Sequence, residues 1–294
     1  MYSFKDYVTN PFLATAKLGG LLSEGSLRLF LGAGVSRGFG LPGWRTLIAR
    51  VLGKEGDAAF LVRLKKMSAE DSTSLLDAVD DKSDSYARKV QEALYRDVEP
   101  ELIDQLPKSR LLVAMAALVT GSCRGRVSSI VTYNYDDLLE QFLELLGYSV
   151  CRRTDPDMLV KRADAEVSYV HGCLPQNWKP AGGKPPEVIL SQHSFRARRA
   201  GIDEGWAASV VEGFRTAIGV FVGLSGDDGS ILDILERVKK RIKRRSEYSA
   251  YWLLTPEAFR KRKDSVLRVG ACPIRLAKGE IPKFLFKVCQ DGAG

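Results

Sequence analysis

The five residues Leu27-Arg28-Leu29-Phe30-Leu31 run directly into Gly32-Ala33-Gly34. A short apolar stretch of this length reads as a buried strand entering a glycine turn. The same grammar returns along the chain. Strand-like runs at Ser129–Thr132, Tyr148–Cys151, Val167–Val170, Val188–Leu190, Val220–Leu224 and Tyr251–Leu254 alternate with helical stretches at Trp44–Leu52, Asp136–Leu146, Ser194–Ala217 and Ile231–Arg245. Such alternation predicts an α/β fold, a Rossmann-like parallel sheet flanked by helices. Residues 53–126 carry no clear strand, only helical stretches at Ala58–Met67, Ser83–Tyr95 and Leu106–Val119 and an acidic patch at Asp77, Asp80, Asp81 and Asp84. They read as a helical insert within a single domain spanning 1–294. Pro175–Pro186 reads as a mobile loop.

Composition narrows the class. With 45% hydrophobic and 27% charged residues the chain is ordinary globular material. Its longest apolar runs, Leu111–Val119 and Ala217–Leu224, are too short to span a bilayer, and Met1–Thr9 lacks a leader pattern. The five cysteines, at 123, 151, 173, 272 and 289, have no metal-knuckle spacing. They read as reduced thiols in a cytoplasmic protein that holds no metal. The net charge of +8 points at first to an anionic partner. However, Arg237–Lys263 holds eleven Lys/Arg against two acids, so the remainder of the chain is close to neutral. With no aromatics interleaved in its helical run, this segment is read as a solvated face or a docking surface for a protein partner, with nucleic acid a further alternative.

Four short motifs carry chemistry. Gly32-Ala33-Gly34-Val35-Ser36 follows a strand and precedes a helix, an arrangement in which backbone amides and a helix dipole can hold a phosphate; a plain tight turn is the competing reading. Thr132-Tyr133-Asn134-Tyr135-Asp136 falls at a strand's carboxyl end, where α/β folds bind ligands, although Asp136 could simply cap the next helix. His171-Gly172 also ends a strand; the imidazole suits general-base work, and the glycine would leave room for a ligand. The other histidine, His193, reads as surface or capping. Finally, Gly223-Leu224-Ser225 ends another strand, with Asp227 or Asp228 as a possible helix cap.

These motifs, in this order, resemble the sirtuin family. Residues 32–46, GAGVSRGFGLPGWRT, align without a gap with the sirtuin opening motif at Gly32, Ala33, Gly34, Ser36, Gly40, Pro42 and Arg45. Trp44 stands where the family has Phe, and Gly43 where it has Asp. Asn134 and Asp136 occupy the two polar positions of the family's TQNID motif, His171-Gly172 the catalytic pair, and Gly223 and Ser225 cofactor-contacting positions. The spelling TYNYDDLLE is similar to bacterial sirtuin-like proteins of antiphage defence, such as the NAD-degrading subunit of Thoeris. Only Cys173 lies where classical deacylases carry a four-cysteine zinc module, and the helical insert stands in its stead.

The resemblance implies an NAD+ glycohydrolase with NAD+ as substrate and no metal. Asn134, His171 and Asp136 would be catalytic; Gly32, Ala33, Gly34, Ser36, Pro42, Arg45, Thr132, Gly223 and Ser225 would hold the dinucleotide. As an effector of abortive infection it would need gating, by homo-oligomerisation or a separate regulatory subunit, without a membrane. A deacylase or ADP-ribosyltransferase, or a non-catalytic nucleotide sensor, are the alternatives.

Overall fold

The computed structural model describes residues 4–99, 102–121, 125–159, 162–180, 185–199, 205–225, 229–242 and 248–294. Seven strands form one all-parallel sheet: β1 (Leu27–Leu31), β2 (Ser129–Thr132), β3 (Val150–Arg153), β4 (Ala165–Tyr169), β5 (Ile218–Val222), β6 (Ala250–Leu254) and β7 (Ala271–Arg275). Their order across the sheet is β3-β4-β2-β1-β5-β6-β7. Helices α1 (Phe4–Thr9) and α2 (Leu13–Ser23) precede β1. Between β1 and β2 lie α3 (Trp44–Val51), α4 (Ala58–Lys66), α5 (Ala69–Ser74), α6 (Asp84–Tyr95), α7 (Leu102–Gln105) and α8 (Arg110–Thr120). Then follow α9 (Leu138–Leu145) after β2, α10 (Gln192–Arg199) and α11 (Gly205–Gly213) after β4, and α12 (Gly229–Arg241), α13 (Pro256–Arg268) and α14 (Glu280–Ala293) after β5, β6 and β7. This is the α/β, Rossmann-like architecture the alternation predicts.

Strand residues alternate between two apolar layers. Leu29, Leu31, Ile130, Val167, Val220 and Leu253 enter one core, with side chains of α2, α3, α8, α9 and α14. Phe30, Val131, Phe221, Trp252 and Leu254 enter the other, with α11, α12 and α13. The register sets Phe30 beside Phe221 and Phe221 beside Trp252. Their rings stack at 4.4 Å and 4.8 Å, an arrangement that supports the centre of the sheet beyond its buried area.

Some boundaries differ from those read in the sequence. Strand β7 escaped the pattern because Pro273 interrupts it; a proline lacks the ladder donor, and β7 is indeed an edge strand. Val188–Leu190 joins no strand ladder. The glycine turn does not open directly into a helix: a 3₁₀ turn, Arg37–Phe39, comes first, and α3 starts only at Trp44. Gly32–Ser36 is therefore not the N-terminus of α3. Among the described part of 175–186, the turn at 175–178 is tied down, since Gln91 Nε2 on α6 donates to the carbonyls of Pro175, Gln176 and Trp178 at 2.8–3.0 Å. The basic segment is split by the buried strand β6 into the outer faces of α12 and α13. There Lys240 pairs with Glu236, Lys261 pairs with Glu257, and Lys239 Nζ donates to the Arg268 carbonyl. Residues 243–247 lie outside the described residues, as do Cys123, Asp227 and Asp228.

A buried ionic cluster fixes the start of α9. Arg152 on β3 reaches both oxygens of Glu140 at 3.0 Å and Asp137 Oδ2 at 3.0 Å. Tyr169 Oη donates to Glu140 Oε2 at 2.9 Å, and Gln141 Nε2 donates to Asp137 Oδ1 at 2.7 Å. Burial pushes the Glu140 carboxyl upward in pKa, against the pull of Arg152. Removing the guanidinium strands two buried carboxylates, so Arg152→Ala is expected to cost about 2–3 kcal/mol at neutral pH. Protonation relieves stranded carboxylates, so the deficit should shrink on acidification to pH 4.5. Urea unfolding at both pH values checks this; an equal deficit at each would refute the assigned role.

Candidate functional site

The register places the ends of four strands in one row. Tyr169 pairs with Thr132, Thr132 with Leu31, and Leu31 with Val222. Each motif lies at or just beyond this row, at the carboxyl edge of the sheet. Strand β1 has β2 on one side and β5 on the other, so the crevice between β1 and β5 is a point where the winding of the sheet reverses, the usual ligand position in open α/β folds.

The turns after β1 and β5 touch through backbone. Gly34 N–H donates to the Gly223 carbonyl at 2.9 Å. A Cβ on Gly34 would lie 2.8 Å from the Gly223 Cα, and Gly223 itself has φ +74°. The glycines thus serve this contact whether or not a ligand is present. Gly32, Gly34, Val35 and Ser36 all donate their N–H groups to backbone carbonyls within these turns and β5. Among the described residues Ala33 has no such backbone bond, and Ala33 and Gly34 are exposed at the rim.

Ser36, Asn134 and Asp136 form a buried chain of hydrogen bonds. Asn134 Nδ2 donates to Ser36 Oγ at 3.1 Å, and Ser36 Oγ donates to Asp136 Oδ1 at 2.9 Å. Thr132 Oγ1 accepts the Asn134 N–H at 3.1 Å, which sets the turn that aims the amide. Asp136 also accepts a long bond from Leu138 N–H at 3.4 Å, so it steadies the first turn of α9 as well as facing Ser36. Thr132, Ser36, Asn134 and Asp136 line a cavity of about 20 Å³, room for one water molecule. Burial raises the Asp136 pKa to about 6, partly offset by the Ser36 hydroxyl.

His171 does not line that cavity. It is buried among aromatic rings, edge-on to Tyr133 at 5.2 Å and to Phe195 at 4.9 Å, with Tyr135 at 6.3 Å. The glycine after it does not leave ligand room: Gly172 has φ +89°, and a Cβ there would lie 1.7 Å from the Glu187 carbonyl oxygen. That space belongs to the chain at 187–188.

Arg45 faces elsewhere. Its Nε and NH2 donate to the carbonyls of Leu64 and Met67 at 3.1 and 3.0 Å, joining α3 to the end of α4. Pro42 is half-buried in the loop before α3, and Ser225 is exposed beyond β5. His193 is exposed at the start of α10, in keeping with a surface or capping residue. Sequence reasoning missed Asp137, Glu140, Arg152 and Gln91, which brace the site from behind. The i, i+3 spacing of Asp137 and Glu140 beside an arginine-bearing strand was the available signal. Among the described residues no three His, Cys, Asp or Glu side chains are placed to share a metal ion, and no helix is long and apolar enough to cross a membrane.

Asp136 yields a prediction. Its raised pKa means that the folded state holds a proton more tightly than the unfolded chain, so its carboxylate lowers stability as pH rises through about 6. Asp136→Asn should therefore stabilise the protein by about 2 kcal/mol at pH 8 and by little at pH 4. Thermal unfolding at the two pH values tests it, and a pH-independent difference would contradict the assignment.

Comparison with known families agrees with this geometry. Residues 128–271, just under half of the chain, match the model of the SIR2-like domain, so this part of the chain is similar to that family. The matched span contains Asn134, Asp136, His171, Gly223 and Ser225, while Gly32–Ser36 lies before it. No curated protein matches the chain.

Proposed function

We propose that the chain is an NAD+ glycohydrolase, cleaving NAD+ with water to nicotinamide and ADP-ribose, and that it serves as the effector of an antiphage abortive-infection system. The observation that supports the enzymatic reading is the single register row, beyond which Ser36, Asn134 and Asp136 meet in one hydrogen-bonded chain and His171 follows β4 at the same edge of the sheet. Groups at the rim support a dinucleotide reading. The exposed Ala33-Gly34 rim offers an amide not spent on the backbone, and Ser225 adds a hydroxyl across the crevice. Arg45 is engaged with α4, so its contribution is to hold the wall of the site rather than the phosphate.

The departing nicotinamide needs positioning and electrostatic support more than a strong nucleophile. Asn134, fixed by Ser36 and Thr132, orients the nicotinamide ribose or the attacking water through its amide. Asp136, once ionised, places negative charge where positive charge develops on the ribose. His171 accepts the proton at its imidazole. The interval that holds the peptide-side zinc module of deacylases has a single cysteine, Cys173, buried next to the ionic cluster; this favours water as the acceptor over an acyl-lysine peptide.

Purified protein incubated with NAD+ should release nicotinamide and ADP-ribose in equal amounts. His171→Ala or Asn134→Ala should lower the rate by about 100-fold or more. Rates unchanged by both substitutions, or formation of O-acyl-ADP-ribose from an acylated peptide, would displace this reading. Protection of cells from phage that disappears with His171→Ala tests the defence role.

A further inference from the structure

His171 is only 6% exposed, although a base must reach the group whose proton it takes. The stretch from Glu187 to Phe195 packs against it, completing an enclosure begun by Tyr133 and Tyr135. The Glu187 carbonyl abuts Gly172, and Ile189 N–H donates to the His171 carbonyl at 2.9 Å. Tyr135 Oη donates to the Ile189 carbonyl at 2.6 Å, and the Phe195 ring stands edge-on to the imidazole. Trp44 packs against Phe195 at 5.8 Å.

This stretch is fastened to the helical insert by carboxylates. Ser191 Oγ and Ser194 Oγ both donate to Asp80 Oδ2, the latter at 2.6 Å. His193 N–H donates to Asp77 Oδ1 at 2.8 Å. Ser191 Oγ also accepts the Ser194 N–H at 3.1 Å and so caps α10. Two acidic side chains thus hold the first turn of α10, where the helix dipole favours negative charge and where bonds to an ionised acceptor are the strong ones. The same turn carries Phe195 onto His171.

We propose that residues 187–195 are a gate over His171, latched shut by Asp77 and Asp80 of the helical insert, and that access to the imidazole requires release of this latch. Its relevance to NAD+ rests on the proposed function, but the closure itself does not. At Asp77 and Asp80 the acidic patch of the insert is an internal fastening.

The chain has two histidines, His171 and His193. Replacing the exposed His193 by Gln leaves one imidazole, and the backbone bond from position 193 to Asp77 remains available. Acylation of His171 by diethyl pyrocarbonate, followed at 240 nm and by peptide mass, then reads its accessibility whatever chemistry the site performs. In this background Asp80→Asn is expected to raise the acylation rate by about tenfold, as loss of bonds to a charged acceptor implies. The double variant Ser191→Ala/Ser194→Ala removes the same bonds from the gate's side and should match it. Unchanged acylation in the variants that retain cooperative unfolding overturns the gate; if Asp80→Asn does not fold, the serine pair decides. Nicotinamide release, measured in parallel, separates the two ideas. Faster acylation with no release in any variant leaves the gate and removes the hydrolase, whereas release with unchanged acylation does the reverse.

Discussion

A parallel sheet covered on both faces leaves few places for polar chemistry except the ends of its strands. In this chain the central strands send Leu29 and Leu31 to one layer and Phe30 to the other. With both layers apolar there, the backbone emerges into reactive surroundings only past Leu31, Thr132, Tyr169 and Val222. Because these four residues share a register row, loops far apart in sequence converge without needing any direct attraction. The stacked rings of Phe30, Phe221 and Trp252 lie one residue earlier and hold that row level across β1, β5 and β6.

The site built on this edge is electrostatically costly. Asp136 is buried with a hydroxyl as its main partner, whereas Asp137, the next residue, turns the other way and joins Glu140 and Arg152. One face of the turn is thus kept poorly compensated and the other is neutralised. The Arg152 cluster and the triple hold of Gln91 on the 175–178 turn give the backbone the rigidity that lets Asp136 remain in its unfavourable position. Stability given up at a reactive group is commonly recovered in its surroundings.

Much of this was legible in local pattern. Strands β1 and β2 fall where their apolar runs place them, and each motif ends a strand. What local pattern could not supply was the identity of distant partners. Arg45 reads as a cofactor-binding position by resemblance, and only the fold shows that its guanidinium is bonded to the carbonyls of Leu64 and Met67. Gly172 looked like room for a ligand, because a sequence does not show that the chain at Glu187 returns to fill the space. The acidic patch gave no sign of its role, because Ser191 and Ser194 are more than a hundred residues away from Asp80. Pro273 concealed an edge strand, since the rule that disfavours proline in sheets applies least at edges.

The Ser36 hydroxyl bonds to residues 98 and 100 positions further along the chain. Between them lie α3 to α8, which must be accommodated before β1 and β2 can pair. Contacts of such sequence separation close late, because the entropy of the intervening loop is lost before the contact forms. A nascent or partly unfolded chain therefore has its polar groups in hand but no assembled site. The reactive arrangement comes into existence only once β1 and β2 have paired across the helical insert, and it is lost when that pairing opens.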